Sequence, residues 1–326
     1  MAGPMISESD NPVSGEVPPL TKLEPNSEPA GSGAREAAVA DLAECRGLMQ
    51  WLEARGLKLN SCEPVKSVGG RRTVVRLPGP DSGVSFFIKR RAADALSSVR
   101  GPDPPRDALS FYPEVLLRCV DCNLTVERNA DGTPLDRVPE SDRLAAYGQA
   151  GRDLADFHNQ TFVSQPSGAA SRIVRKIDAI LSEARSLDAE RDAIPAIEDL
   201  NAIAASMNDG QLNKSWVHGD MKPEHVYWSP SGCCFVDADR RRIGYAILDA
   251  GNMLNHIEWR EGSEAREAHA FIAGYGEVAP IENGGHLWLA RLHGAARTLR
   301  NRTAHGTERD SAQPLRTLVR LWSDGP

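Results

Sequence analysis

The chain of 326 residues has no run of about 18 apolar residues, which excludes a transmembrane helix. It has no excess of basic charge. The formal net charge of −7 argues against non-specific nucleic-acid binding, which needs cations to replace counterions. It leans instead toward neutral or cationic small partners. The first residues, MAGPMISESDNPVSGEVPP, carry neither a basic n-region nor an apolar h-region, so no secretory signal is read there and a cytoplasmic location is expected. Six cysteines are too few for a disulfide scaffold in a chain of this length. Cys119 and Cys122 form a CxxC pair, and Cys233 and Cys234 are adjacent. A four-thiolate zinc site built from these two pairs is disfavoured, because neighbours on a strand point to opposite faces. No internal repeat is present.

What is there falls into three stretches. Residues 1–36 are rich in Pro, Ser, Gly and Glu, bury little apolar surface and read as disordered. From Glu36, apolar residues Val39, Leu42, Leu48, Trp51 and Leu52 recur at helical spacing, and Gly56 offers a stop, so one leading helix is expected. RRTVVRLPG and GVSFFIKRR flank the turn PGPDSG and read as a hairpin. DALSFYPEVLLRC is expected to form a short helix near Pro113, and CNLTVERNADG a strand. After about residue 130 the chain becomes mostly helical. Helices are expected over ESDRLAAYGQAGRDLADFHNQTF, Arg172–Leu187, Ile194–Met207, Leu248–Tyr275 and Gly284–Arg302, with a short β segment near residue 220. A β-rich part followed by a helix-rich part indicates an α+β fold with two lobes. The expected division is 37–129 for the first lobe and 130–326 for the second.

Three signals carry chemistry. Lys89 ends the apolar strand VSFFIKRR, where an ammonium can clamp phosphates. In WVHGDMKPEHVYW an apolar strand enters a tight His-Gly-Asp turn, with Lys and Pro following. Asp220 can orient an attacking hydroxyl and accept its proton, while Lys222 can neutralise charge on a transferred phosphoryl group. In CCFVDADRRRIG, Asp237 ends an apolar strand 17 residues after Asp220, where a carboxylate oxygen suits a magnesium ion. Asp239 follows on the same side of the strand and can add a second oxygen or solvate the turn.

HGDMKPEH resembles the catalytic loop of the protein-kinase-like superfamily, in the HGD form of its aminoglycoside phosphotransferase and choline kinase branch. FVDAD is similar to that branch's metal-binding strand, and ILDAGN to its continuation, in which Asp249 would brace the catalytic loop. The likeness covers residues 60–302 and is carried chiefly by 216–254. It implies a protein-kinase-like two-lobed fold with a small β-rich N-lobe for nucleotide and a larger helical C-lobe. It also implies ATP with Mg²⁺, or Mn²⁺, and a small-molecule hydroxyl acceptor: aminoglycoside-like, an amino alcohol or a sugar. Asp220 and Lys222 would be catalytic, His225 and Asp237 would form the metal region, and Lys89 would be the nucleotide clamp. Glu114, on the helix expected after the lysine strand, is the candidate partner acid of Lys89. Gly69 and Gly70 stand where a glycine loop is expected, without a GxGxxG. The 60 residues between His158 and His218 resemble the insertion of small-molecule kinases. No APE-like segment is found.

His225 stands where Asn is usual. An imidazole nitrogen suits Mn²⁺ or Zn²⁺ better than Mg²⁺. A His here also resembles the lipopolysaccharide-core sugar kinases, a competing branch. A nucleotide-binding pseudokinase acting by interaction is the alternative from another class. His158 reads as a satisfied core residue and His218 as a support of the loop. Glu258, Glu261, Glu264 and Glu267 read as a solvated helix face.

Overall fold

The computed structural model describes residues 32–68, 72–79, 85–91, 105–187, 200–202, 205, 212–262, 265–281, 284–304 and 308–326. Two hydrophobic cores separate the chain into two lobes. The first lobe opens with helix α1 (Ser32–Ala43) and helix α2 (Arg46–Glu53). One continuous helix was the expectation. The break falls at Cys45, whose extended backbone (φ −83°, ψ 98°) caps α2. Leu42, Leu48, Trp51 and Leu52 are buried, so the apolar pattern holds through the break. Gly56 adopts φ +63° after α2, a conformation that glycine enters without strain. Helix α1 also begins inside the segment read as disordered.

The helices pack on a five-stranded antiparallel sheet of β1 (Glu63–Val68), β2 (Arg72–Pro78), β3 (Ser85–Arg91), β4 (Val115–Cys119) and β5 (Leu124–Arg128), in the order β1-β2-β3-β5-β4. The β2–β3 hairpin pairs Arg72 with Arg91 and Pro78 with Ser85, as its turn signal requires. The helix expected up to Cys119 is instead a 3₁₀ turn, Arg106–Phe111, followed by β4. Pro113 stops the turn, and Val115–Cys119 gain a ladder partner in β5. Phe111 and Tyr112 reach into the other lobe, where they meet Phe157 and Phe235 edge-on or stacked. The run-up to β4 is thus an apolar tether between lobes.

The second lobe contains β6 (Thr133–Pro134), α3 (Glu140–Gln160), β7 (Phe162–Ser164) and α4 (Ala169–Leu187). Then come β8 (Lys214–Val217), β9 (Val226–Ser229), β10 (Gly232–Phe235) and β11 (Arg242–Tyr245). Four helices close it: α5 (Ile247–Glu261), α6 (Arg266–Val278), α7 (Gly284–Ala304) and α8 (Glu308–Asp324). The helix expected over Ile194–Met207 lies largely outside the described residues. Helix α8, which carries Pro314 within it, had no counterpart in the sequence reading. Helices α3 and α6 cross so closely that a Cβ on Gly151 would sit 2.0 Å from the Phe271 carbonyl oxygen. Two small sheets, β10-β9-β6 and β11-β8-β7, present the segment between β8 and β9 to the interlobe cleft. This is a two-lobed α+β fold of the protein-kinase-like kind.

Candidate active site

The segment His218–His225 is a loop strung between two strands, and its shape follows from buried polar contacts. Asp249, in the first turn of α5 and only 2% exposed, accepts the His218 N–H at 2.6 Å and the Gly219 N–H at 2.9 Å. The His158 ring lies 3.4 Å from the same carboxylate and takes a 3.0 Å contact from the Tyr275 hydroxyl on its other nitrogen. A carboxylate can only accept, so His158 carries its proton on Nε2. Burial pushes the Asp249 carboxyl up, but His158, His218 and the Gly219 N–H outweigh it and hold it below its ordinary value. Gly219 adopts φ +78°, and a Cβ there would meet the Arg240 carbonyl at 2.5 Å. Only glycine fits this turn. Asn252 donates to the Met221 carbonyl at 2.6 Å. His218 donates from Nε2 to the Val236 carbonyl at 2.8 Å, tying the loop to the strand that carries Asp237. His158 is the buried, satisfied core residue expected, and His218 supports the loop.

Asp220 projects from this braced loop. Its Oδ1 lies 3.0 Å from Arg297 Nη2 of α7, and its Oδ2 lies 3.9 Å from Lys222 Nζ. Lys222 also lies 3.3 Å from Glu224. Burial would raise the Asp220 carboxyl, yet Lys222, Arg297 and Arg240 together lower it. It is therefore an ionised hydrogen-bond acceptor poised at the cleft. Arg297 was missed in the sequence, since it lies 77 residues away on a helix with no motif.

Asp237 sits at φ 59°, ψ 38°, a left-handed backbone that a non-glycine residue adopts at a cost. The turn carries the carboxylate back toward the loop, and Asp237 Oδ2 lies 3.6 Å from His225 Nε2. His225 donates from Nδ1 to the Asp220 carbonyl at 2.9 Å, leaving a lone pair on Nε2 beside Asp237. Burial first, then Lys222 and His218, push His225 down to about 4, so the ring is neutral. A neutral imidazole nitrogen beside a carboxylate fits a divalent cation of borderline softness. Asp239 instead pairs with Arg91 of β3, an ion pair that crosses between the lobes.

In the first lobe, Lys89 and Arg91 alternate onto one face of β3. Since Arg91 meets Asp239, Lys89 faces the cleft as well. Its partner acid is not Glu114. Lys89 Nζ lies 2.6 Å from Glu127 of β5, while Glu114 pairs with Arg128 at 2.9 Å. The reason is register: Lys89 opposes Thr125, and Glu127, two residues on, shares that face and stands on the diagonal. Glu114 precedes β4, outside this face, and is not on a helix. Gly69 and Gly70 lie outside the described residues.

A family model described as the phosphotransferase enzyme family matches residues 125–290, from β5 through the catalytic loop into α7. The chain belongs to this family. No curated protein sequence matches it. Among solved structures, it resembles a putative aminoglycoside phosphotransferase from Ralstonia eutropha at 15% identity and TM-score 0.59, over 86% of this chain and 98% of that one. The choline kinase of Streptococcus pneumoniae gives 10% and 0.56, over 85% and 97%. An amicoumacin kinase, solved with AMP-PNP and Ca²⁺, gives 13% and 0.54, over 87% and 95%. At these identities the likeness establishes a shared fold.

In this phosphotransferase, basic residues gather behind the loop. A small cavity under the loop is lined by Lys176 of α4, Arg242 of β11, and His293 and Arg297 of α7, together with Asp249 and Asn252. His293 is buried; burial first, then Arg297, Lys176, Arg242 and Arg300, push it down to about 3. The acidic residues of the later helices are spoken for. Glu258 pairs with Arg291 and Arg320, and Glu261 and Glu267 with Arg143. Glu261 is exposed, as a solvated face requires, while Glu258 and Glu267 are partly buried in these pairs; Glu264 lies outside the described residues. Among the described residues, no helix is long and apolar enough to cross a membrane.

The His293 environment has a pH consequence. The unfolded chain accepts a proton on this ring near the usual 6.5, whereas the folded chain refuses it until about 3. Its contribution to stability is therefore full above about pH 6.5 and is lost as pH falls through that window. Melting temperature measured against pH should fall from about pH 6.5 downward in the wild type, and His293→Gln should flatten that decline. An identical decline in the folded variant would refute the buried neutral ring.

Proposed function

We propose that the protein transfers the γ-phosphoryl group of ATP to a hydroxyl of a small molecule, with a divalent cation at His225 and Asp237. The observation that carries this reading is Asp220, ionised and held at the cleft by a loop whose backbone is locked to Asp249. Lys89, fixed by Glu127, would hold the nucleotide phosphates from above. The cation would neutralise charge on the phosphate oxygens. Asp220 would accept a hydrogen bond from the acceptor hydroxyl and take its proton as the new oxygen–phosphorus bond forms and ADP departs. A carboxylate below its ordinary value is a weak base, so its main task is orientation. That suits a transfer whose transition state is loose, where positioning and charge dominate. Lys222 stands beside Asp220 to balance charge on the moving group.

The acceptor is a neutral or anionic hydroxyl compound, of which a sugar is the leading class. Lys176, Arg242 and Arg297 line the cavity on the α4, β11 and α7 side of Asp220, and Arg300 of α7 adds to the positive field there. That local field repels a polycationic aminoglycoside or an amino alcohol, whatever the net charge of the chain.

Phosphate-31 NMR of ATP with Mg²⁺ or Mn²⁺ and a panel of sugars, sugar acids, amino alcohols and aminoglycosides tests both parts. A phosphorylated sugar or sugar acid should appear. Asp220→Ala should lower kcat by about a hundredfold or more with the nucleotide Kd unchanged. Undiminished turnover in that variant would overturn the role of Asp220, and a preference for aminoglycosides would overturn the acceptor class. The clamp has a separate check by calorimetry. Glu127→Gln should weaken nucleotide binding about tenfold, as expected for a lost charged hydrogen bond. Glu114→Gln should leave it unchanged, and the reverse result would restore Glu114 as the partner of Lys89.

A further inference from the structure

Three of the four cysteines of the first lobe, Cys45, Cys119 and Cys122, converge, although they come from two distant segments. The sulfurs of Cys45, Cys119 and Cys122 all lie within 4.8 Å of one another. Four sulfurs around a zinc ion at about 2.3 Å stand roughly 3.8 Å apart, so this triangle needs little contraction to close on one. Cys233 and Cys234 are elsewhere, on β10 of the other lobe. The pairing of the two dicysteine segments considered from the sequence is therefore not the one that forms.

The local backbone is built for the purpose. Cys119 ends β4 and pairs with Leu124 across the turn 120–123. The Asn123 N–H closes that turn on the Val120 carbonyl at 3.2 Å. Asn123 itself takes φ 54°, a left-handed kink directly after the second cysteine. The turn sets Cys119 and Cys122 side by side, their sulfurs within 4.8 Å of each other and of the Cys45 sulfur, and these neighbours lower the Cys119 thiol from its ordinary value. Cys45 arrives as the capping residue of α2, and its break between α1 and α2 is what turns the side chain onto the hairpin. The first N–H groups of α2 have no partner within the helix and favour negative charge at that end. Gly47, in the same first turn, leaves room: a Cβ there would lie 3.6 Å from the Cys119 sulfur.

We propose that Cys45, Cys119 and Cys122 bind one zinc ion as thiolates, with water or an added ligand in the fourth position. Each thiol releases its proton to solvent on binding, so three protons leave and the site carries one net negative charge. Two thiols would suffice for a disulfide; three from two segments around one point are what a metal needs. The ion fastens the α1–α2 corner to β4, the edge strand of the sheet. It also stiffens the β4–β5 hairpin, and β5 carries Glu127.

The test uses the reduced full-length chain, stripped of metal and titrated with Co²⁺ under anaerobic conditions. One equivalent should produce a thiolate-to-cobalt charge-transfer absorption, and Zn²⁺ should displace it. A cation at His225 and Asp237 gives no such band, so this outcome is independent of the phosphotransfer reading. Cys122→Ser and Cys119→Ser, at half-buried positions, should abolish the band while circular dichroism stays unchanged. Cys233→Ser and Cys234→Ser should leave it intact. One equivalent of Zn²⁺ should raise the melting temperature of the wild type, since it binds the folded state. Absence of the band in the reduced, folded wild type overturns the proposal, as does its survival in folded Cys122→Ser.

Discussion

The carboxylate of Asp249 governs the site. Its two oxygens collect two consecutive backbone N–H groups of the catalytic loop and the His158 ring. Left unpaired in this dry interior, each N–H would cost about 1–3 kcal/mol, so the loop has one favourable path through the interior. The glycine at 219 follows from that path, because the chain must turn with positive φ against the Arg240 carbonyl. From there Asp220 emerges at the cleft, His218 reaches the Val236 carbonyl, and His225 is delivered beside Asp237. The charge placed at the cleft is a consequence of where the backbone is held.

The two lobes then meet over this loop through a few contacts of different kinds. The Arg91–Asp239 pair joins the strand of Lys89 to the turn of Asp237. Phe111 and Tyr112 anchor the approach to β4 in the aromatic cluster around Phe157 and Phe235. Lys89 and Glu127 form a rigid pair within the sheet. Lys89 and Asp220 are thereby set on scaffolds that have separate hydrophobic cores.

What could be read from the sequence is what lies close together in it. HGDMKPEH and FVDAD each carry their meaning within a dozen residues, and the structure brings Asp220, His225 and Asp237 of these motifs together. Arg297, Glu127 and Cys45 were not readable in this way. Each acts through a partner 38 or more residues distant, chosen by helix packing or strand register. The spacing around Glu114 predicts a helix after the lysine strand; the ladder with β5 makes Val115–Cys119 a strand instead, and Glu127 is the acid that meets Lys89. The basic wall near Asp220 was hidden for the same reason, since its members come from α4, β11 and α7 and the chain as a whole is acidic.

The central claim is that Asp249 acts on catalysis by holding the loop, without touching either substrate. The most direct measurement is the kinetics of Asp249→Asn set beside its nucleotide affinity and its near-ultraviolet circular dichroism. An amide keeps the shape but accepts at one oxygen only, so the loop loses one of its two anchors. The account predicts a folded protein with an unchanged nucleotide Kd and a kcat lower by about a hundredfold, the penalty typical of a misplaced reacting group. A folded variant that turns over at the wild-type rate would contradict it.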